Sequence, residues 1–204
     1  TRPMEEERDY RIIEAKELRG LRNSRGIILG TARANPGRSI SSPEDFSDSI
    51  KTESIDRVYR GLLSLDVDAL ISIGGDGTLM TANTLKRYQD TLGSDARRVR
   101  VVHVPKTIDN DIGIIDRSFG FESAVEEARR VIKCAKTEAA CAPNGVGIVK
   151  LMGRSAGFIA VHATLASGDV DLVLIPELPV NVTPDSPNNC LDHVESVILK
   201  KKRT

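Results

Sequence analysis

The sequence predicts an α/β fold, a doubly wound and mostly parallel sheet with helices on both of its faces. Short apolar runs typical of buried strands alternate along the chain with longer segments whose apolar residues recur at helical spacing. Each apolar run stops at a polar or glycine-rich turn, and parallel strands joined by helical crossovers produce that rhythm. The length of 204 residues is enough for one such domain.

The composition argues against several classes of partner. Lys and Arg together number 29, as do Asp and Glu, so the positive field that attracts nucleic acid or anionic membranes is absent. Aromatic residues make up 3% with no Trp, too few for a base-stacking platform. No apolar run approaches the roughly 18 residues of a membrane span. We therefore expect no nucleic acid and no membrane partner, and the three cysteines, without a C-x-x-C pair, favour the cytoplasm.

The N-terminal quarter is predicted to lead from a charged segment into a first strand. Residues 1–25 are rich in Arg and Glu and indicate a surface helix or a ragged end, separate from a domain over 26–204. Gly26–Gly30 is a short apolar run that predicts a strand. The strand delivers a polar loop that carries Arg33 and Arg38.

The following elements alternate between helix and strand. Ser42, followed by Pro43 and two acids, has the features of a helix start, and apolar residues keep helical spacing to Leu65. Val67–Ile73 predicts a buried strand. The remaining predicted elements are a helix from Thr78 to about Tyr88, a strand over Val99–Val104, a helix from Phe121 to Ala135, a strand over Val146–Leu151, a helix that begins with Met152-Gly153-Arg154 and runs to about Ala166, a strand over Asp171–Ile175 and a helix from about Asn189.

Polar clusters follow the predicted strands. Ligands of open α/β sheets bind at the carboxyl ends of strands, so clusters at these positions are expected to gather on one edge. The clusters are Gly74-Gly75-Asp76-Gly77-Thr78, Lys106-Thr107-Ile108-Asp109-Asn110-Asp111, Met152-Gly153-Arg154 and Pro176-Glu177. Their accumulation is the main sequence argument for a functional site.

The glycine cluster places backbone N–H groups at a helix N-terminus, where a phosphate is stabilised by free donors and by the helix dipole. Asp76 could hold Mg²⁺ there, directly or through water. The alternative is a tight turn with a capping Asp, and the isolated motif does not decide between the two. The chain has neither a G-x-x-x-x-G-K-[ST] nor a G-x-G-x-x-G sequence.

Thr107, Asp109 and Asp111 alternate, so in an extended chain their side chains would point to one side. Two acids side by side repel each other unless a cation or proton separates them, and Lys106 supplies positive charge. A carboxylate that accepts a hydroxyl proton near cationic groups suits a small-molecule kinase. The alternative is an Asx-rich turn.

The last two clusters contain a cation, Arg154, that could bind an anion, and a carboxylate, Glu177. Arg154 at a predicted helix start is disfavoured by the dipole, and a bound anion would offset that mismatch; the alternative is a surface ion pair. Glu177 could accept hydrogen bonds from sugar hydroxyls or cap the next element. Structural roles are expected for the scattered His103, His162 and His193.

In this order, the four clusters resemble those of the 6-phosphofructokinase family, with Gly30-Thr31-Ala32-Arg33 as the upstream loop. The resemblance covers the chain from about Gly26 and implies part of the Rossmann-like phosphofructokinase fold. It implies that Asp109 is the base that deprotonates the sugar 1-hydroxyl and that Asp76 serves Mg²⁺. The resemblance also implies three sets of site residues. The residues around the transferred phosphoryl group would be Lys106, Thr107, Asp109, Asp111 and Arg154. The residues that contact the nucleotide would be Arg33, Gly75, Asp76, Gly77 and Thr78, with Arg38 as a helper, and those that bind fructose 6-phosphate would be Thr107, Asp109, Met152, Gly153, Arg154 and Glu177.

The family contains ATP-dependent and pyrophosphate-dependent members, so the phosphoryl donor has two alternatives. Pyrophosphate enzymes typically have Asp at the position of Gly77, where its side chain obstructs the nucleotide, and Lys at the position of Lys106. The combination of Gly77 with Lys106 resembles the ATP-dependent enzymes of plants and trypanosomes and favours ATP.

The chain also resembles an internal part of the family's catalytic chain. The glycine-rich G-G-x-x-P-G loop that precedes this region in the family is missing, as are the segments that follow the last helix. A truncated non-catalytic fragment or a regulatory subunit is therefore a third interpretation. The resemblance further implies a homo-oligomer, a dimer or tetramer.

Overall fold

The computed structural model describes residues 3–21, 28, 30, 32, 34–183, 186 and 189–201. The chain divides into two compact units, Thr1–Val104 and Pro105–Thr204, and each is described by itself. The predicted strand Gly26–Gly30 falls largely, and Arg33 wholly, outside the described residues.

The predicted α/β class is confirmed. Strands β1 and β2 are neighbours, and β2 pairs with β3 in parallel. The helices are α1 (Ala15–Leu21), α2 (Ser49–Ser64), α3 (Asp76–Asp90), α4 (Phe121–Cys141), α5 (Phe158–Ser167) and α6 (Cys190–Lys201), and the strands are β1 (Ala69–Gly74), β2 (Arg100–Thr107) and β3 (Phe119–Gly120). In the described part of the chain, no helix has both the length and the apolar character needed to cross a bilayer.

The core of the first unit lies between α2 and α3. Ile55 and Leu85 are almost completely buried, and the rings of Tyr59 and Tyr88 meet edge to face at 6.1 Å. The buried Gln89 side chain donates to the Val99 carbonyl at 3.1 Å and accepts from the Val99 N–H at 2.7 Å. This pair of bonds joins the end of α3, the helix that follows the predicted nucleotide-binding glycines, to the residue that precedes β2.

The predicted helix start at Ser42 is wrong in its extent. Pro43–Ser47 forms a short 3₁₀ helix, because the Asp45 carboxylate accepts the backbone N–H groups of Ser41 and Ser42. A hydrogen bond from Lys51, together with these two backbone bonds, lowers the pKa of Asp45 to about 2. The α-helix begins only at Ser49, where Asp48 accepts from the N–H of Ile50 at 2.8 Å as the true cap.

The second unit is built on the packing of α4 against α5. The predicted amphipathic helix from Phe121 is confirmed and runs on to Cys141. Phe121, Ile159 and Ala163 are buried in this contact, and the Phe121 ring meets the His162 ring edge to face at 5.0 Å. Ile108 and Val149 are among the partly buried residues that pack against this helix pair.

Two predicted strands of the second unit, Val146–Leu151 and Asp171–Ile175, are not strands in the structure. Val149 and Leu151 are half-buried against the α4–α5 core while Ile148 is 88% exposed, so the alternating pattern reflects one-sided burial of an extended segment without a ladder. In the other segment, the Asp171 carbonyl accepts from the His193 ring at 3.0 Å, a side-chain contact in place of strand pairing.

Candidate functional site

The turn Gly74–Thr78, named the donor turn after its predicted role at the phosphoryl donor, connects β1 directly to α3, as the sequence predicted. Gly75 is the N-cap of α3 and provides no side-chain cap, and the Leu79 N–H donates the first helical bond to the Gly75 carbonyl. The N–H groups of Asp76, Gly77 and Thr78 precede that bond and lack helical acceptors. The turn therefore offers the uncapped donors and the positive dipole end that a phosphate requires.

The glycines of the donor turn differ in what surrounds them. A Cβ atom at buried Gly74 would lie 2.6 Å from the Cβ of Thr78, which is shorter than any tolerable contact. At Gly77 a Cβ atom would meet no atom of the described residues within 4 Å. Packing therefore requires glycine at position 74, whereas position 77 has space for a side chain.

Asp76 is exposed at the first residue of α3 and, among the described residues, has no hydrogen-bond or ion-pair partner. No group of three or more His, Cys, Asp or Glu side chains in the described ranges could hold a metal by itself. Mg²⁺ is commonly bound by one or two carboxylates, with substrate phosphates and water completing its shell. A single unengaged carboxylate beside the uncapped N–H groups of α3 fits that pattern.

His103 on β2 reaches the end of β1, a contact that the sequence analysis missed. Its Nε2 atom lies 3.1 Å from the Gly74 carbonyl oxygen, and its Nδ1 atom lies 3.3 Å from the Ser72 hydroxyl. His103 thus has the structural role that was expected, and it makes its contacts at the end of β1, where the donor turn begins. No sequence signal marked it, because the contact joins residues 29 positions apart.

The loop that precedes the 3₁₀ helix is fastened to α3. Asn35 accepts from the Gly37 N–H at 3.0 Å and from the Thr81 hydroxyl at 3.1 Å. Gly37 is buried, and a Cβ atom there would lie 3.1 Å from the Thr84 side chain. This turn carries the exposed Arg38, the predicted helper at the nucleotide, in the same unit as the donor turn.

The loop over residues 108–118, named the catalytic loop after its predicted role, carries Asp109 and Asp111 between β2 and β3. Lys106 is exposed within β2 and Thr107 is its last residue. The expected alternation stops at Thr107, because the chain bends at Ile108 and Asp109 and Asn110 has a φ of +55°. Asp109 is half-buried and Asp111 is exposed, so the two acids do not continue one face of a strand.

Local contacts fix the start of this loop. The Asp109 N–H donates to the Thr107 hydroxyl oxygen at 3.1 Å, and the hydroxyl proton of Thr107 is then available for another acceptor. Ile108 packs against the α4–α5 core. The backbone on both sides of Asp109 is therefore held by the fold.

The prediction that Arg154 lies at a helix start is wrong. Gly153 has a φ of +139° and Arg154 a φ of +54°, and a right-handed helix cannot begin through these conformations. The Ala156 N–H closes a turn onto the Gly153 carbonyl at 2.8 Å, and α5 begins only at Phe158. Arg154 is exposed on this turn and has no ion-pair partner among the described residues.

Glu177 is brought to the same segment from further along the chain. Its Oε1 atom accepts from the Gly157 N–H at 2.7 Å, at the start of α5. A Cβ atom at Gly157 would lie 2.7 Å from Oε2 of Glu177 and 2.6 Å from the Cβ of Ile175. This bond reaches back to the N-cap residue of α5 and does not cap the element that follows Glu177, as one interpretation expected; it joins Glu177 to the segment that bears exposed Met152.

The structure thus forms three local arrangements of the predicted residues. The donor turn belongs to the first unit, and the catalytic loop and the Gly153–Gly157 turn with Glu177 belong to the second. The sequence analysis missed Asn35 and Gly157 and did not foresee the contacts of His103; of these, only Asn35, in an Asn-Pro-Gly turn, carried a usable signal.

Comparisons with known proteins identify the family of this chain. The phosphofructokinase family model matches residues 4–204. ATP-dependent 6-phosphofructokinase 1 of Arabidopsis thaliana is 45% identical over 167 residues, which cover 82% of this chain and 31% of the relative. ATP-dependent 6-phosphofructokinase of Amycolatopsis methanolica is 40% identical over 184 residues, which cover 90% of this chain and 35% of the relative.

Solved structures are similar in fold. Phosphofructokinase of Pichia pastoris in the T-state matches with a TM-score of 0.65 and 23% identity, over 94% of this chain and 19% of that one. Pyrophosphate-dependent phosphofructokinase from Marinobacter aquaeolei matches with a TM-score of 0.59 and 22% identity, over 82% of this chain and 40% of that one. The chain spans about a third of the length of the curated relatives it matches. On the family model and these relatives, the chain belongs to the phosphofructokinase family.

Proposed function

We propose that this chain forms the catalytic centre of an ATP-dependent 6-phosphofructokinase, which converts ATP and fructose 6-phosphate into ADP and fructose 1,6-bisphosphate. The observation that carries the proposal is the identity of 40–45% over most of the chain to relatives named for that activity. The donor turn and the catalytic loop add the chemistry that such a transfer needs. Glycolysis is the pathway that this reaction serves.

In the proposed reaction, Asp109 accepts the proton of the sugar 1-hydroxyl. The resulting oxygen nucleophile attacks the γ-phosphorus of ATP, the bond to the bridging oxygen breaks, and ADP leaves with that electron pair. Mg²⁺, with Asp76 among its ligands, would neutralise charge on the phosphates. Thr107, Lys106 and Asp111 would surround the transferred group.

The sugar phosphate is assigned to the second unit. Arg154 is exposed and without an ion-pair partner in the described part of the chain, which suits an anion-binding guanidinium. Met152 and Gly153 would contact the same substrate. Glu177 keeps acceptor capacity on its carboxylate beyond the bond to Gly157, and that capacity suits a sugar hydroxyl.

The nucleotide is assigned to the donor turn, with Gly75, Gly77 and Thr78 as contacts together with Arg33. The open space at Gly77 supports ATP over pyrophosphate. Packing does not require glycine at this position, and the absence of a side chain leaves room for a nucleotide. Lys106 is the observation that favours the second candidate, a pyrophosphate-dependent fructose-6-phosphate 1-phosphotransferase.

The third candidate is a non-catalytic fragment or regulatory subunit that binds phosphates without turnover. For the active enzyme we expect a homo-oligomer, a dimer or tetramer, in the cytoplasm. One relative, 40% identical, is named chloroplastic, so the compartment needs its own test by localisation of a tagged protein.

A coupled assay for fructose 1,6-bisphosphate tests the proposal in the full-length protein. With Mg²⁺ and fructose 6-phosphate present, we expect turnover with ATP and much slower turnover with pyrophosphate. A preference for pyrophosphate would replace the donor assignment and keep the reaction. Binding of both ligands without turnover at high protein concentration would support the non-catalytic candidate.

A further inference from the structure

The catalytic loop is closed at its base by strand pairing. Lys106 pairs with Phe119 and Thr107 with Gly120, in parallel, so the chain leaves β2 and returns beside it through residues 108–118 alone. Parallel neighbours usually need a crossover of about a dozen residues or more, most often a helix. A connection without a helix must be held by other contacts.

Ser118 supplies those contacts at the end of the loop. It is a buried polar residue with 5% exposure. Its hydroxyl donates to the Thr107 carbonyl at 2.6 Å, and its N–H donates to the Asn110 side-chain oxygen at 2.8 Å. One residue thereby joins the last residue of β2 to the middle of the catalytic motif.

Asn110 extends this connection across the loop. Its φ of +55° is a left-handed conformation that Asn tolerates better than most residues. Its side-chain nitrogen donates to the Asp116 carbonyl at 3.1 Å, while its side-chain oxygen accepts from Ser118. The amide therefore uses both of its ends within the loop.

Asp109 lies between the two residues that Ser118 contacts. Thr107 precedes it and also accepts its N–H, and Asn110 follows it. Because the backbone is fixed on both sides, the Asp109 side chain leaves the chain from a defined position. General-base catalysis depends on such a position, since a displacement of about 1 Å can lower the rate by about 10²-fold.

We propose that Ser118, acting through Asn110 and the Thr107 carbonyl, is a positioning residue that holds Asp109 in place for proton abstraction. The proposal rests on the function proposed above. Its physical basis is that the buried Ser118 residue donates a hydrogen bond to the Thr107 carbonyl at the closed base of the loop, and loss of such a bond is unfavourable.

The test compares Ser118→Ala with Ser118→Thr, which keeps the hydroxyl, in the full-length protein. We expect Ser118→Ala to lower kcat by about ten- to a hundredfold, with the KM values for both substrates changed little. Ser118→Thr should recover most of the lost kcat. Ser167→Ala is the matched control, because Ser167 also donates to a backbone carbonyl, that of Thr164 at 3.1 Å, at the far end of α5.

Hydrogen–deuterium exchange gives a readout that does not depend on activity. We expect peptides covering residues 108–118 to exchange faster in Ser118→Ala, with α4 and α5 peptides unchanged. Unchanged exchange and unchanged kcat in Ser118→Ala would overturn the proposal. So would faster exchange throughout the second unit that Ser118→Thr does not reverse, since that marks general destabilisation.

The two proposals fail in different ways. If the wild-type protein has no turnover under any donor, the proposed function fails, while local exchange in 108–118 still tests whether Ser118 holds the loop. If the wild type is active and Ser118→Ala behaves like Ser167→Ala, the positioning role alone fails.

Discussion

The donor turn and the catalytic loop occupy equivalent positions after neighbouring strands, but they are held in different ways. The donor turn passes from β1 into α3 with a single residue between them, and its shape follows from glycine and the first helical bond. The catalytic loop spans residues 108–118 without regular structure and depends on the side chains of Ser118, Asn110 and Thr107.

This contrast has a consequence for mutation. In the donor turn, the proposed function assigns phosphate binding to backbone groups, so a substitution there is expected to act by filling space or by adding charge. In the catalytic loop, the proposed function assigns the chemistry to the Asp109 side chain, which other side chains hold, so loss of one polar group would be expected to move that carboxylate.

The largest effect is expected at the catalytic loop. Asp109→Asn should lower turnover by about 10²–10⁴-fold, because the amide cannot accept the hydroxyl proton. Binding of fructose 6-phosphate, measured by calorimetry, should change little. Asp116→Asn is the control, since it makes the same chemical change at an exposed position of the same loop. A near-normal rate for Asp109→Asn in the coupled assay would remove Asp109 from the role of base.

A smaller effect is expected at the donor turn, where two glycines form a matched pair. Gly77→Asp should lower kcat/KM for ATP by about tenfold or more, because a carboxylate beside phosphate repels it. The melting temperature should hardly change, since position 77 has open space and an acid is favourable in the first turn of a helix.

Gly74→Ala should mainly lower the melting temperature. Its Cβ atom would press on Thr78, and such overpacking is destabilising by about 1–3 kcal/mol. Thermal unfolding of both variants and of Gly77→Ala checks the comparison. A melting temperature that falls for Gly77→Asp but not for Gly74→Ala would contradict the assignment of packing and binding roles to these glycines.

The smallest effect is expected from His103→Leu. The ring bonds to the Gly74 carbonyl and to Ser72, and loss of such bonds is destabilising by about 1 kcal/mol. Because α3 and Gly74 also shape the turn, we expect kcat/KM for ATP to fall only a few-fold. A fall in turnover as large as that expected for Ser118→Ala would show that side chains hold the donor turn as well, and would contradict the difference between the two segments.

Strong periodic patterns were sufficient to predict much of the fold. The helix from Phe121 and the strands now seen as β1 and β2 follow from apolar spacing. The strand β3 was missed because two residues carry no periodicity. Val146–Leu151 has the alternation of a strand, but strand formation needs a neighbour, and a pattern within one segment cannot supply it.

The candidate site was predictable as motifs and not as geometry. Asp76 and Asp109 follow strands, which the sequence indicates directly. The left-handed conformations of Asn110 and Arg154 were not foreseen, because neither is a glycine. The bonds of Ser118 to Asn110 and of Glu177 to Gly157 join residues 8 and 20 positions apart, and only the folded chain brings them together.

The closed base of the catalytic loop bears on how this loop can evolve. The tip of the loop, at Gly113 and Ile114, lies beyond the contacts of its base. A Cβ atom added at Gly113 would meet no atom of the described residues within 4 Å, and Ile114 is 87% exposed. Doubling the length of a loop raises its closure free energy by only about 0.6 kcal/mol. Insertions at this tip are therefore expected to be tolerated. Related proteins could then differ in the length and surface of the tip, while Asp109 at the start of the loop keeps its position.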